Sequence, residues 1–559
     1  MRILLRRDPK QIVLGPLKRV LGGKVYRRLR ARALHLLQGT VPVNGQLGRV
    51  IGEARLSGLK SVRIFSGRSL ARSSEARMPW EIAQANFFEL TTILDRAEID
   101  WFLVRSVQVK RLVVAVDQED KYSLALALAS SEGSADCYIV GATNPRLVAV
   151  LSKQVVALRA YLAESVWTFG ARYEDSKSGA MLGLDYGCDI EFWDYSEMHS
   201  SGLVTAPREN VAARILSVNE LLPATTEVAG RTVPSRSVFH RRMLDDIVFP
   251  IDAVYTWVDG EDPDWVDSKR RTEAEITGIA YHGEANHVAR FRSRDELKYS
   301  LRSLEMYAPW FRHIYIVTAG QIPEWLNTDH PKVKLIDHHH IYPDSSYLPT
   351  FNSNSIISRL HHIEGLSEHY VYINDDVFFG RPLAKDRFFL PSGIAKVSPS
   401  RNRRPFGAPT ALDEPHLNLT RNMRALLEEE FSVTISRAIK HTPHPQLRSV
   451  HFEMEAKFAD AYERTWSSRF RHHQDIVADQ LHHYYAQIVG KAVPTNLRYN
   501  YINILDDQYR GTMESTLRLR HRDTFCINDA PVDGAVPIPE DEVNNFLTNY
   551  FPVKSTFEK

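Results

Sequence analysis

Cysteine is scarce in this chain of 559 residues: Cys137, Cys188 and Cys526 are the only three. Thiols so few and so far apart build neither a disulfide framework nor a zinc quartet, and they suit a reducing cytoplasm. Long apolar runs are missing too, and none approaches the ~20 residues that a bilayer-spanning helix needs. A formal net charge of +2 leaves no excess of either sign, which excludes bulk nucleic-acid binding. Internal repeats and long low-complexity tracts are absent. The N-terminus lacks the continuous apolar core and small-residue cleavage site of a secretory signal. What is present is a globular composition, 43% hydrophobic and 25% charged, on a chain too long for one core. Two or three domains are expected.

Residues 1–85 are basic, Arg2, Arg6, Arg7 and Lys10 onward being opposed at first by Asp8 alone, and should pack loosely. Leu14, Leu17, Val20 and Leu21 recur there at helical spacing. That pattern fits either peripheral attachment to an anionic membrane face or a solvated tail. Localisation is therefore expected to be cytoplasmic, with association at the inner membrane face as the alternative. Residues 86–220 read as a small α/β domain whose role the sequence does not name. It has a helix over 87–97 and strands at 101–104, 111–116, 137–140 and 187–193. In the last strand Asp189 and Glu191 share one face, because side chains repeat every two residues. They read as a metal-binding remnant of a nucleotidyltransferase-like fold or, preferably, as the wet face of an edge strand. Residues 221–248 read as a linker, 249–535 as a catalytic domain with a helical insertion at about 411–500, and 536–559 as a tail.

The most informative segment runs from His369 to Gly380. Its apolar, β-branched start predicts a buried strand, which ends in Asn374-Asp375-Asp376. Two adjacent carboxylates at a strand end repel each other and lose hydration, so a divalent cation carrying a phosphorylated ligand would stabilise them. A turn using Asn374 and Asp375 as local caps is the alternative. Strands at 251–258, 313–318, 333–336 and 370–373 alternate with helical stretches, which implies a Rossmann-like, mainly parallel sheet covered by helices. Ligands of such sheets bind beyond the carboxyl ends of the strands. Asp259, Gly320 and Asp375-Asp376 all fall at that rim.

Four blocks carry a resemblance. They are Ile251-Asp-Ala-Val-Tyr-Thr-Trp-Val-Asp-Gly260; Arg290 to Leu383, including Arg294-Asp-Glu-Leu and Asn374-Asp-Asp; the surroundings of Lys440-His-Thr-Pro-His444; and Thr524-Phe-Cys-Ile-Asn-Asp529. In this order they resemble the Stealth family of sugar-1-phosphate transferases, most closely its actinobacterial exopolysaccharide enzymes. The chain departs from the family at Ile357, where many relatives carry Glu, and at His361-His362, where relatives often read His-Arg.

The resemblance implies transfer of a hexose-1-phosphate from a nucleotide-sugar, UDP-linked for preference, to a hydroxyl of a glycan or polysaccharide acceptor. It implies Mg²⁺ or Mn²⁺ held by Asp375, Asp376 and Asp529, whose hard oxygens suit such ions. Asp259, Arg302, His361, His441 and Asp376 are the implied catalytic residues. Arg294, Asp295, Gly320, Gln321, Asn352, Asn374 and Asn528 are the implied substrate contacts. Arginine suits phosphate clamps and histidine titrates near working pH; for Arg302 a surface ion pair is the competing role. A metal-dependent glycosyltransferase moving the sugar alone, or a non-catalytic scaffold in polysaccharide assembly, are the alternatives. His338-His339-His340 reads as incidental. Asp479 with His482-His483 reads as surface or hydroxyl-binding residues more readily than as a zinc pair.

Overall fold

The computed structural model describes residues 59–64, 67–74, 77–107, 111–131, 136–141, 150–151, 162–176, 181–275, 294–409, 415–529 and 540–559. The basic segment with Leu14, Leu17, Val20 and Leu21 lies outside them. The chain divides into two compact units at Arg241–Arg242. Among the described residues no helix is long and apolar enough to cross a membrane.

The first unit is built on a six-stranded sheet. Its order is Trp101–Val104, Val113–Asp117, Cys188–Trp193, Val166–Gly170, Tyr138–Gly141 and Val150–Leu151. Only the second and third of these run parallel. The strand Val113–Asp117 is buried on both faces, and its alternation sorts two cores. Val114 and Val116 join Phe87, Leu90 and Leu94 of helix Pro79–Arg96 and Leu124 and Leu128 of helix Lys121–Ser130. Val113 and Ala115 join Phe102, Trp193, Val204, Leu216 and Phe239 on the other side.

That second layer corrects two expectations. The stretch 221–248 is not a free linker: Pro223–Val228 and Arg231–Arg236 form an antiparallel hairpin, and Ser235 Oγ donates to the Leu103 carbonyl at 3.2 Å. Asp189 and Glu191 are not a wet edge either. Their strand is central, and the residues are 0% and 1% exposed. The guanidinium of Arg208 spans both, Nη2 lying 2.8 Å from Asp189 Oδ2 and Nε 2.6 Å from Glu191 Oε1. Arg111 adds a second ion pair to Asp189 at 3.1 Å. The chain covers this face with its own later segments, which strand alternation alone does not foretell.

The second unit carries the Rossmann-like sheet. Strands β1 (Ile251–Thr256), β2 (Ile314–Thr318), β3 (Val333–Asp337), β4 (His369–Asn374) and, further on, β6 (His444–Leu447) are arranged 3-2-1-4-6. All are parallel except β6. The chain thus builds outward from β1 on one side, then returns to place β4 on the other. The crevice for ligands in such a sheet lies at that reversal, between the carboxyl ends of β1 and β4. Register puts Thr256 opposite Asn374, so Asp259 and Asp375-Asp376 leave the sheet on the same rim.

A smaller sheet closes the crevice: β5 (Val377–Phe379), β7 (Tyr499–Asn503) and β8 (Thr524–Asn528), in the order 5-8-7. Helix Glu296–Tyr307 links the two sheets. Its Leu297, Leu301 and Leu304 are buried to within 1%, each contributing roughly 2 kcal/mol by area. Its polar side also anchors β5: Ser300 Oγ donates to the Val377 carbonyl at 2.6 Å, and the Phe379 amide donates to Ser303 Oγ at 2.9 Å. Gly380 follows because a Cβ there would lie 2.6 Å from the Arg522 carbonyl oxygen. The expected C-terminal tail is core instead. Helix Glu540–Tyr550 buries Phe546, Leu547 and Tyr550; Phe546 and Tyr550 pack against Phe525, and the following Phe551 against Phe378 and Phe525.

Candidate active site

The strand-end pair Asp375-Asp376 sits in the β4–β5 turn, and partners arrive from three other segments. His441, from the stretch before β6, places Nε2 3.0 Å from Asp376 Oδ1. Asn528, at the end of β8, donates from Nδ2 to Asp376 Oδ2 at 3.3 Å, and its own Oδ1 accepts from Tyr501 Oη at 3.0 Å. The Asn374 amide approaches the His441 ring at 3.3 Å. Asp529, the next residue after Asn528, pairs with Arg294 Nη2 at 3.2 Å. Arg294 also bonds to Glu296 through its amide and its guanidinium. Between them Asp295 takes φ 62°, a left-handed conformation that Asp tolerates better than most residues, and its carboxylate meets Lys298 at 3.1 Å.

The electrostatics are those of an acid cluster short of positive charge. Burial pushes the Asp375 carboxyl well above the usual range, and the charges of Asp376 and Glu296 push it further. Burial likewise raises Glu296, with Asp376 adding to the shift against the opposing bonds of Arg294. For His441 burial opposes the charged form, yet Asp376 beside it prevails and the imidazole is held above its ordinary value. Asp375 and Glu296, both held above the ordinary carboxylate range beside Asp376, favour an added cation.

Geometry narrows which carboxylates could share one. Among the described residues, three ligand atoms converge within 4.8 Å at His361–His362–Glu455 and at Glu89–Asp136–Cys137, while Asp375, Asp376 and Asp529 form no such group. Asp529 is drawn to Arg294, and Asp376 to His441 and Asn528. The expected three-aspartate cage is therefore not assembled. Mg²⁺ commonly uses only one or two carboxylates together with substrate phosphates and water, and Asp375 and Asp376 fit that smaller role. The two convergent groups already hold a cation of their own. Arg359 bonds Glu455, and Arg72 spans Glu89 at 2.9 Å and Asp136 at 2.6 Å.

The loop after β1 is held by Gln321. Its Oε1 accepts from the Asp259 amide at 3.0 Å, and its Nε2 donates to the Asp259 carbonyl at 2.9 Å and to Asp262 Oδ2 at 2.8 Å. Asp259 Oδ1 caps the Glu261 amide, as a turn residue would. Gly320 precedes this clamp with φ +83°, which explains the glycine.

Three sequence-expected site residues are placed elsewhere. Arg302 points to the C-terminal segment, where both oxygens of Glu558 accept from it at 2.8 Å and the Phe551 carbonyl at 3.1 Å. Asn352 is fully buried. Its amide donates to Asp475 Oδ2 at 2.8 Å and to two carbonyls, and its Oδ1 caps the Asn354 amide. His361 is 0% exposed, with Nε2 2.7 Å from Glu455 Oε2 and its ring stacked on His451; desolvation pushes its pKa down to about 4. His482 and His483 are 0% exposed too, so the surface reading of that pair is overturned. Ile357 is buried in the short helix Ser353–Ile357, and Glu296 supplies a carboxylate to the cluster from another element. Glu296, Tyr501 and Glu455 escape the sequence reading. Glu296 alone had a signal, its place in Arg294-Asp-Glu at a helix start.

Comparison with known proteins matches four conserved regions described as Stealth protein CR1 (residues 249–277), CR2 (290–397), CR3 (440–487) and CR4 (515–559). An exopolysaccharide phosphotransferase of Streptomyces coelicolor is 38% identical over 86% of this chain and 83% of its own length. The exopolysaccharide phosphotransferase CpsY of Mycobacterium tuberculosis is 34% identical over 88% and 91% respectively. The solved galactosyltransferase LgtC overlaps 53% of this chain and 95% of its own at 11% identity and a TM-score of 0.27. The chain belongs to the Stealth family, alongside the exopolysaccharide phosphotransferases of Streptomyces and Mycobacterium.

Proposed function

We propose that the second unit moves a sugar-1-phosphate from a nucleotide-sugar to a hydroxyl of a glycan acceptor, in exopolysaccharide synthesis. One observation carries the reading: at the β1–β4 crevice, a carboxylate pair is joined by an imidazole on Asp376 and an arginine on the neighbouring Asp529. Family membership supports it. Phosphoryl transfer needs positioning and charge neutralisation more than covalent chemistry from the protein.

His441 is the base. Asp376 and Asn374 orient its ring, and it takes the proton from the acceptor hydroxyl. That oxygen forms a bond to the sugar-bearing phosphorus, the bond from this phosphorus to the bridging oxygen breaks, and a nucleoside monophosphate leaves. Arg294, positioned by Asp529 and Glu296, meets the phosphate oxygens with charge-assisted bonds. Mg²⁺ or Mn²⁺, held by Asp375 and Asp376, would neutralise pyrophosphate charge as a Lewis acid. Gln321 fixes the β1 loop, so that Asp259 lines the same rim.

Purified protein incubated with nucleotide-sugars, Mg²⁺ or Mn²⁺ and a glycan acceptor tests this. The expected products are nucleoside monophosphate and a phosphodiester seen by phosphorus NMR. Nucleoside diphosphate with no phosphorus in the glycan would mean sugar transfer alone. No turnover of any donor would mean a scaffold.

A further inference from the structure

Among the described residues, two clusters of ligand-type side chains converge outside the crevice, and they differ in what is left open. At Glu89–Asp136–Cys137 the guanidinium of Arg72 bonds both oxygens of Glu89 and both of Asp136, at 2.6–3.0 Å, and reaches Cys137 Sγ at 3.4 Å. That cluster is closed. At His361–His362–Glu455 the arginine takes less: Arg359 bonds Glu455 Oε1 and turns its Nε to the Ile341 carbonyl at 3.0 Å. Glu455 Oε2 is left to two imidazoles, with His361 Nε2 and His362 Nε2 each 2.7 Å away.

Consecutive histidines on a strand would face opposite ways. Here the backbone makes the tight turn Leu360–His362, which brings the two ring centres to 4.2 Å. Glu455 comes from helix Arg448–Lys457, and the three ligand atoms lie within 4.8 Å of one another. His361 is enclosed, while the side chains of His362 and Glu455 are 28% and 21% exposed, which leaves an entry from solvent.

The chemistry of the three suits a metal. Burial keeps the His361 imidazole neutral near pH 7 by pushing its pKa down to about 4. Its Nδ1 is buried and bonds to nothing among the described residues, so no partner locks the tautomer and Nε2 is available as a ligand. Burial of Glu455 is outweighed by the bonds of the two histidines, which hold its carboxyl well below the usual range and ionised. Two imidazole nitrogens and one carboxylate oxygen are the donor set of open zinc sites, with water in the fourth place. Zinc bonds of about 2.1 Å set tetrahedral ligand atoms about 3.4 Å apart, so Oε2 would swing back by ~0.7 Å, a small movement for a long side chain. Arg359 would then fix the far oxygen of the ligating carboxylate.

We propose that His361, His362 and Glu455 form a Zn²⁺ site, with Arg359 as a positioning residue. The ion joins the turn that leads into β4 to the helix that leaves β6, where Arg448 already donates to the His361 carbonyl at 2.8 Å. His369 opens β4 opposite Leu447 at the end of β6. The site therefore serves the amino end of β4, whereas Asp375-Asp376 follow its carboxyl end. Its role is structural, and it is independent of the phosphotransfer reading.

Zinc alone is the probe, on the full chain stripped with a chelator and with no donor present. Competition against a chromophoric chelator should show one Zn²⁺ per chain, bound at least ~100-fold more tightly than Mg²⁺, as nitrogen donors dictate. His362→Gln and Glu455→Gln should each weaken zinc at least ~10-fold, with circular dichroism unchanged. Cys137→Ser and Asp376→Asn should bind it as the wild type does. Saturating zinc should raise the melting temperature of the wild type and leave that of His362→Gln where it was. No tight zinc, or zinc held equally well by His362→Gln, would overturn the site. Loss of zinc in Cys137→Ser or in Asp376→Asn would overturn it too, by placing the ion at the first cluster or at the crevice.

Discussion

Asp376 accepts bonds from both His441 and Asn528, so its removal unties the proposed base and one wall of the crevice together. Asp376→Ala should lower turnover at least ~100-fold, as loss of a positioned acid–base partner does, with circular dichroism unchanged. Wild-type turnover in that variant would remove Asp376 from the chemistry. Arg302 should behave in the opposite way. Its guanidinium lies bidentate on Glu558, with side chains 12% and 2% exposed. Breaking such a pair strands a buried carboxylate and costs about 3–5 kcal/mol. Arg302→Gln should therefore melt at a markedly lower temperature while each folded molecule turns over normally; lost turnover at an unchanged melting temperature would return Arg302 to catalysis. The meeting of Asp376 with His441 could be read from the chain, because strand-end acids and the histidine of a matched block are local signals. Arg302 could not, since its partner lies 256 positions away and no local pattern names it.

At the scale of elements, the alternation of strands with helices located the parallel sheet, and Leu297, Leu301 and Leu304 recur at helical spacing in the helix that packs against it. Local periodicity is silent where one segment covers another. The hairpin over 223–236 hides Val228 and Val233, yet its sequence is short and polar enough to pass for a connection. In the last helix Phe546, Leu547 and Tyr550 recur at helical spacing, with Phe551 just beyond, a core-facing signal at odds with a tail. Leu547→Ala should thus cost about 2–5 kcal/mol, as for other fully buried leucines, read by denaturant melts of the full chain. A change below ~0.5 kcal/mol, the size usual for surface positions, would show this helix to be loosely attached.

Across the whole molecule, acid stability carries the mark of Asp475. The residue is fully buried, and Asn352 and the His472 amide bond one of its oxygens at 2.8 and 3.0 Å. Burial outweighs those bonds and pushes its pKa up to about 7. A carboxyl with a raised folded-state pKa stabilises the native state fully below its unfolded value near 3.8, and that contribution fades as pH rises through about 7. The span corresponds to at most about 4 kcal/mol. Asp475→Asn should flatten the stability profile between those limits, measured by urea melts across pH. A profile parallel to wild type would show that Asp475 ionises normally.

The crevice is assembled from contacts between distant parts of the chain: Asn528 reaches Asp376 across 152 positions, and Asp529 reaches Arg294 across 235. During synthesis, therefore, a nascent polypeptide holds the strand-end aspartates long before it holds their partners. Neither pair can form until β8 has emerged from the ribosome and docked. Premature termination anywhere upstream of β8 leaves Asp376 without Asn528 and Arg294 without Asp529.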